Sequence, residues 1–176
     1  FSLNDNNNSN NKQTTHIYIK KQFIAGEKCL DGLKDICRFL RRDDPRYRRL
    51  HRALGEWNVV QKQVLPLLIQ SQDNPQVLFE ATRLLVMVTM PVDPESEAEE
   101  MYRDNDILKS YAEAFASYEG NVIATLVGML EKPLSRVKTE GQCTERDEIV
   151  FELVLTLFRN LLDVTNETSH GGTTGA

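Results

Sequence analysis

Apolar residues recur along this chain mostly at helical spacing. Leu30, Leu33, Ile36, Cys37 and Leu40 share one face and predict a helix over 28–40. Asp44 followed by Pro45 is a start signal, an N-cap side chain with proline at the first helical position, and Tyr47, Leu50 and Leu54 carry a second helix to about residue 54. A third is expected over 57–70, kinked or tightened at Pro66, which has no backbone N–H to donate. SQDNP at 71–75 reads as a turn and a fresh start. The fourth helix, 75–90, carries Val77, Leu78, Ala81, Leu84, Leu85 and Val88 as one stripe, while Val86, Met87 and Met90 cover the opposite side, so its later half is expected to be buried all round.

Pro91 and Pro94 then stop the pattern, and DPESEAEE at 93–100 reads as an exposed loop. Helices are expected over 106–117 and 121–131, with a loop over 132–143. Thr144, with Asp147 three residues on, forms a variant of the capping box. It opens a seventh helix whose wide apolar face includes Ile149, Val150, Leu153, Val154, Leu157, Phe158, Leu161 and Leu162. No segment reads as a strand, since IYI at 17–19 alternates too briefly.

Two stretches echo one another: 64–89, and 123–130 taken with 150–162. Each is a helix with a Leu-rich end, a connection, and a more deeply buried helix carrying a polar residue near its last turn. Such pairs cannot bury their faces alone and must stack. The expected fold is all-α, a right-handed α-helical solenoid of armadillo/HEAT-like repeats with about seven helices. The ends lack this pattern. Six asparagines fall between positions 4 and 11, and the chain closes on SHGGTTGA. Residues 1–25 are therefore expected to be a disordered Asn-rich segment, 26–165 the helical-repeat domain and 166–176 a disordered tail. Phe1 in place of Met suggests an excerpt of a longer protein.

Charge sharpens this picture in one place. The chain has a formal charge of −5, yet the window 38–52 holds seven arginines and two aspartates, a local +5 that leaves −10 for everything else. The longest largely apolar run, 84–90, falls far short of the ~20 residues of a membrane span. Cys29, Cys37 and Cys143 show no CxxC spacing and fit reduced thiols inside a cell. His16 and His170 lie toward the ends, leaving His51 as the lone histidine of the folded part, expected to be structural and to face solvent. No P-loop, GxGxxG or HExxH occurs, and Glu97, Glu99 and Glu100 read as a solvated acidic run. No catalytic residue, metal site or cofactor is expected.

On a helical wheel the seven arginines separate. Arg38 and Arg42 share a side with Asp31 and Asp35, which supply intrahelical partners. Asp43 and Asp44 sit where capping and the helix dipole occupy them. Arg48, Arg49 and Arg52 cluster opposite Tyr47, Leu50 and Leu54, with Glu56 as the nearest acid. These three, with Arg41, are the candidate contact residues for DNA backbone or a protein partner, because forked guanidinium donors suit phosphate and carboxylate. A merely solvated helix face is the competing reading.

Four blocks carry a family resemblance: CLDGLKDICRFLRRDDPRYRRLHRALGEWNVVQKQVLPLL, LFEATRLLVMVTMPVDP, YAEAFAS and LVLTLFRNLLDV. In this order, over about 26–164, they resemble the N-terminal domain of the Timeless family. The resemblance implies a helical-repeat scaffold without catalysis, in the nucleus, belonging to the replication fork protection complex and active in the replication checkpoint and DNA repair. It implies a Tipin-like subunit, the replicative helicase and other fork proteins as partners, with double-stranded DNA as a further candidate. The alternatives are a circadian-clock transcription regulator of the same family and a helical-repeat adaptor unrelated to chromatin.

Overall fold

The computed structural model describes residues 26–41, 46–90, 98–118 and 121–170. Seven α-helices and one π-helical turn account for the regular structure among them: α1 Gly26–Phe39, α2 Tyr47–Glu56, the π turn Val60–Val64, α3 Leu65–Gln70, α4 Pro75–Val88, α5 Ala98–Ser117, α6 Asn121–Glu140 and α7 Glu145–His170. The described residues contain no strand. The Asn-rich segment and residues 171–176 lie outside them, as do Arg42, Asp44 and Pro45; α7 continues past residue 165 to His170.

Helix α4 is the centre. Val77, Leu78, Ala81, Leu84, Leu85 and Val88 are buried, and α1, α3, α6 and α7 all pack against it. Its start follows from local chemistry: Asn74 Oδ1 accepts the Val77 N–H at 3.2 Å, and Pro75 occupies the first turn, where no intrahelical donor is needed. Its later half is less enclosed than expected, for Val86, Met87 and Met90 are only half-buried. Helix α1 packs against α4, and its Leu33, Ile36 and Cys37, with Leu40 just past its end, are all buried.

The two echoing stretches are brought together. Helices α3 and α4 form one pair and α6 and α7 another, with α3 packed on α6 and α4 on α7. Asn160 of α7 donates to Thr89 Oγ1 at 3.4 Å, so the two polar residues meet, Thr89 at the end of α4 and Asn160 well inside α7, which runs ten residues further. Gln72, in the turn between α3 and α4, donates to Thr125 Oγ1 of α6 at 3.1 Å.

Prolines and sequence breaks behave differently from expectation at three places. Pro66 does not tighten the third helix; the backbone before it widens into the π turn, closed by Leu65 N–H donating to the Val60 carbonyl. A proline withholds its own N–H from the carbonyl four residues back, and stepping to a five-residue register is one way around that loss. Helix α5 begins at Ala98, eight residues before the expected 106, because the Ala/Glu-rich end of the acidic stretch favours helix.

Helix α6 runs through Pro133 to Glu140, where a loop was expected over 132–143. Its second half is tied down by Arg136, which pairs with the buried Asp147 of α7. The helix stops at Gly141, which adopts φ +67° and donates its N–H to the Val137 carbonyl at 3.0 Å, the left-handed cap that glycine accepts without steric cost.

The capping box at the start of α7 is present as read. Asp147 N–H donates to Thr144 Oγ1 at 3.2 Å, while Asp147 Oδ2 accepts from the Thr144 hydroxyl at 2.7 Å and its N–H at 3.2 Å. The Thr144 hydroxyl bond is the main reason that the Asp147 carboxyl lies below the usual carboxylate range; the Thr144 backbone bond and the Arg136 guanidinium act in the same direction. A depressed carboxyl contributes stability above its unfolded pKa, and that contribution is lost as pH falls through the folded value. Asp147→Asn is therefore expected to lower the urea midpoint at neutral pH. The gap from the parent chain should close as the pH series descends below the ordinary carboxylate range; a constant gap would rule out the charge as the cause.

Helices α2 and α5 approach closely at Gly55. A Cβ there would stand 2.6 Å from Cγ2 and 2.9 Å from Cγ1 of Ile107, and those branch atoms sit too near the backbone to swing clear. Gly55→Ala gains about 1 kcal/mol of helix propensity but meets overpacking of about 1–3 kcal/mol. Thermal melting should show net destabilisation. Combining it with Ile107→Ala should cost less than the sum of the two single changes.

Candidate interaction surface

The basic window divides much as its periodicity implies. Arg38 Nη1 lies 3.7 Å from Asp35 Oδ1, an exposed pair one turn apart. Arg41 is exposed just past the end of α1. Arg46 takes the N-cap position of α2 without a side-chain cap bond, and its guanidinium carbon stands 4.1 Å above the centre of the Phe39 ring. That cation–π contact joins the end of α1 to the start of α2.

On α2 itself Arg48 and Arg49 are both exposed, whereas Leu54 is buried. Arg52 is different. It is half-buried and one of its guanidinium nitrogens is shielded from solvent, so it is partly a structural residue. The structure thus leaves two of the three clustered arginines, Arg48 and Arg49, exposed, with Arg41 a further exposed cation.

His51 overturns its expected placement. It is 4% exposed, and its Nε2 lies 2.9 Å from the Val88 carbonyl; a carbonyl only accepts, so Nε2 carries the proton. The Tyr47 ring centre is 5.7 Å from that of His51, and Tyr111 presents an edge at 6.4 Å. Tyr47, His51 and Leu54 fall at i, i+4 and i+7, so the spacing already put His51 on the inward face. What it satisfies is not readable locally: Val88 ends α4, and the last carbonyls of a helix have no intrahelical donor.

Asn160 answers the same need from the other side, donating to the Val86 carbonyl at 3.4 Å, while the Thr89 hydroxyl donates to the Leu85 carbonyl at 2.7 Å. Asn160 Oδ1 and the Tyr111 hydroxyl are buried without a hydrogen-bond partner among the described residues. Burial also raises the Tyr111 phenol well above its ordinary pKa.

Other chemistry-bearing groups are scattered. Burial pushes the Cys37 thiol up to about 12 and raises that of Cys29, which keeps both as unreactive core residues, and Cys143 is free and exposed. Among the described residues no group of three His, Cys, Asp or Glu side chains is placed to hold a metal ion. Nor is any described helix long and apolar enough to cross a membrane.

Comparison with known proteins places this helical chain in a family. The family model described as Timeless protein matches residues 22–176. The chain belongs to the Timeless family. The mating-type switching protein swi1 of Schizosaccharomyces pombe is 29% identical over 162 residues, covering 82% of this chain and 16% of swi1. The protein timeless homolog of Homo sapiens is 33% identical over 148 residues, 77% of this chain and 12% of the human protein. Topoisomerase 1-associated factor 1 of Aspergillus fumigatus is 26% identical over 155 residues, 80% of this chain and 13% of that protein. The chain thus spans only a small part of each of these relatives.

The burial of His51 and the exposure of Arg48 separate structure from surface on one helix. His51→Ala removes a buried donor and leaves a cavity, and should cost about 2–4 kcal/mol by denaturant unfolding. Arg48→Ala should stay within about 0.5 kcal/mol. Equal losses at the two positions would contradict this division.

Proposed function

We propose that this chain is part of a non-catalytic α-helical scaffold of the replication fork protection complex, acting in the nucleus in support of stalled forks, the replication checkpoint and DNA repair. The observation that carries the reading is membership of the Timeless family across residues 22–176, with swi1 and the topoisomerase 1-associated factors among the relatives. The packing of α3/α4 against α6/α7 supports a right-handed solenoid of armadillo/HEAT-like repeats, whose function is to present long surfaces to proteins. A Tipin-like subunit, the replicative helicase and other fork proteins are the proposed partners. His51, the one histidine whose side chain is described, is engaged with the Val88 carbonyl and has a structural role.

Double-stranded DNA is the proposed nucleic-acid partner, met through backbone phosphates by Arg48 and Arg49, with Arg41 nearby in sequence at the end of α1. The chemistry is that of forked donors on a rigid helix, and each phosphate neutralised releases counterions. Arg52 contributes less, being half-buried.

Arg48→Glu with Arg49→Glu, in the complex reconstituted with its Tipin-like subunit, should weaken duplex binding and make the slope of log affinity against log salt shallower by about 2. Helicity should not change. Unaltered affinity across the salt series would remove this patch from DNA binding.

A further inference from the structure

A groove of about 530 Å³ opens between the start of α4, the middle of α6 and the first turn of α7. Leu78 and Phe79 of α4, Met129 and Pro133 of α6, and Val150 of α7 make it largely apolar. Lys132, Arg136 and Arg146 stand among the lining residues against a single carboxylate, Asp147, which Thr144 and Arg136 already engage. A smaller hollow of about 230 Å³ shares Phe79 and Arg146 and adds Lys34, Leu30 and Ile149; its one carboxylate, Glu80, pairs with Arg83 at 3.4 Å. In a chain of net charge −5, this groove is locally cationic.

Gly128 supplies a second observation. It lies inside α6 on the groove wall, and a Cβ built there meets nothing within 4 Å. Glycine within a helix costs about 1 kcal/mol against alanine, and here neither a positive φ nor a close neighbour requires it. Its effect is to leave open space on an apolar wall, beside cations that follow on the same face at Lys132 and Arg136.

We propose that this groove docks an acidic peptide segment of a protein partner, seating an aliphatic or aromatic side chain against Leu78, Phe79 and Met129 while flanking carboxylates meet Lys132 and Arg146. The apolar wall favours a peptide over a duplex, whose phosphates could engage the rim but offer no side chain to fill the space. Charge on the rim steers and selects the partner; the buried anchor supplies most of the hold. This surface uses no residue of α2 and stands apart from the DNA contact proposed for Arg48 and Arg49.

Selection of a displayed random-peptide library against the whole chain tests the proposal. The expected result is an enriched family with Asp or Glu flanking an apolar anchor. Gly128→Trp should abolish recovery of these peptides, whereas Gly128→Ala, which leaves most of the space, should keep it; the alanine variant should also melt no lower than the parent chain. Lys132→Glu with Arg146→Glu, both exposed positions that leave the wall intact, should weaken the recovered peptides about tenfold or more. Absence of an enriched family overturns the proposal, as do basic or uncharged peptides, or acidic peptides that still bind folded Gly128→Trp. Loss of duplex binding in Gly128→Trp, with no peptides recovered, would instead make the groove a nucleic-acid surface. Peptide binding that survives Arg48→Glu with Arg49→Glu would show the groove to be independent of the DNA contact.

Discussion

The buried C-terminal end of α4 is the constraint around which this structure is arranged. A helix with four others packed on it, whose last residues Val88 and Thr89 are buried, cannot readily hydrate the carbonyls of its last turn, and an unsatisfied buried carbonyl costs on the order of 1–3 kcal/mol. Donors must therefore come from neighbouring elements. His51 of α2 reaches Val88, Asn160 of α7 reaches Val86, and the Thr89 hydroxyl turns back to Leu85. Two helices far apart in sequence are thus tied to one helix end, and α5 follows, packed against both α2 and α7.

This arrangement divides the basic window. With His51 and Leu54 committed inward, Arg48 and Arg49 must face out, and Arg52 falls at the boundary. The same helix therefore anchors the core and presents cations. At the opposite end of α4 the chemistry differs: Asn74 and Pro75 complete the helix start locally, so neighbouring elements need not close over it. The groove beside Leu78 and Phe79 opens there, bordered by the capped start of α7 and by the cationic face of α6.

Much of the fold was legible in sequence because its signals are local. The stripes of α1 and α4, the Asn74–Pro75 start and the Thr144–Asp147 box all depend on residues within two turns of one another. Within the basic window, the Asp35–Arg38 pair and the outward Arg48 and Arg49 followed from the same spacing. Less legible were features resting on distant partners. Residues 132–143 read as a loop, yet α6 continues through Pro133 to Glu140, where Arg136 finds Asp147 eleven residues on. His51 read as a solvent-facing residue because it sits on an arginine-rich helix with no acid at helical spacing. The groove was not visible at all: Gly128, Lys132 and Arg146 are unremarkable until α4, α6 and α7 are set side by side.

Periodicity and capping chemistry were enough to make this chain helical, to mark the starts of α4, α6 and α7 and to choose the inward stripes of α1 and α4, since those choices are settled over distances of a few turns. The family resemblance was likewise carried by order and composition along the chain. Which helices meet, which carbonyls need a donor from elsewhere, and where a gap is left between packed helices were settled only in three dimensions. Those outcomes depend on contacts between residues that the backbone separates by tens of positions, and no local pattern records them.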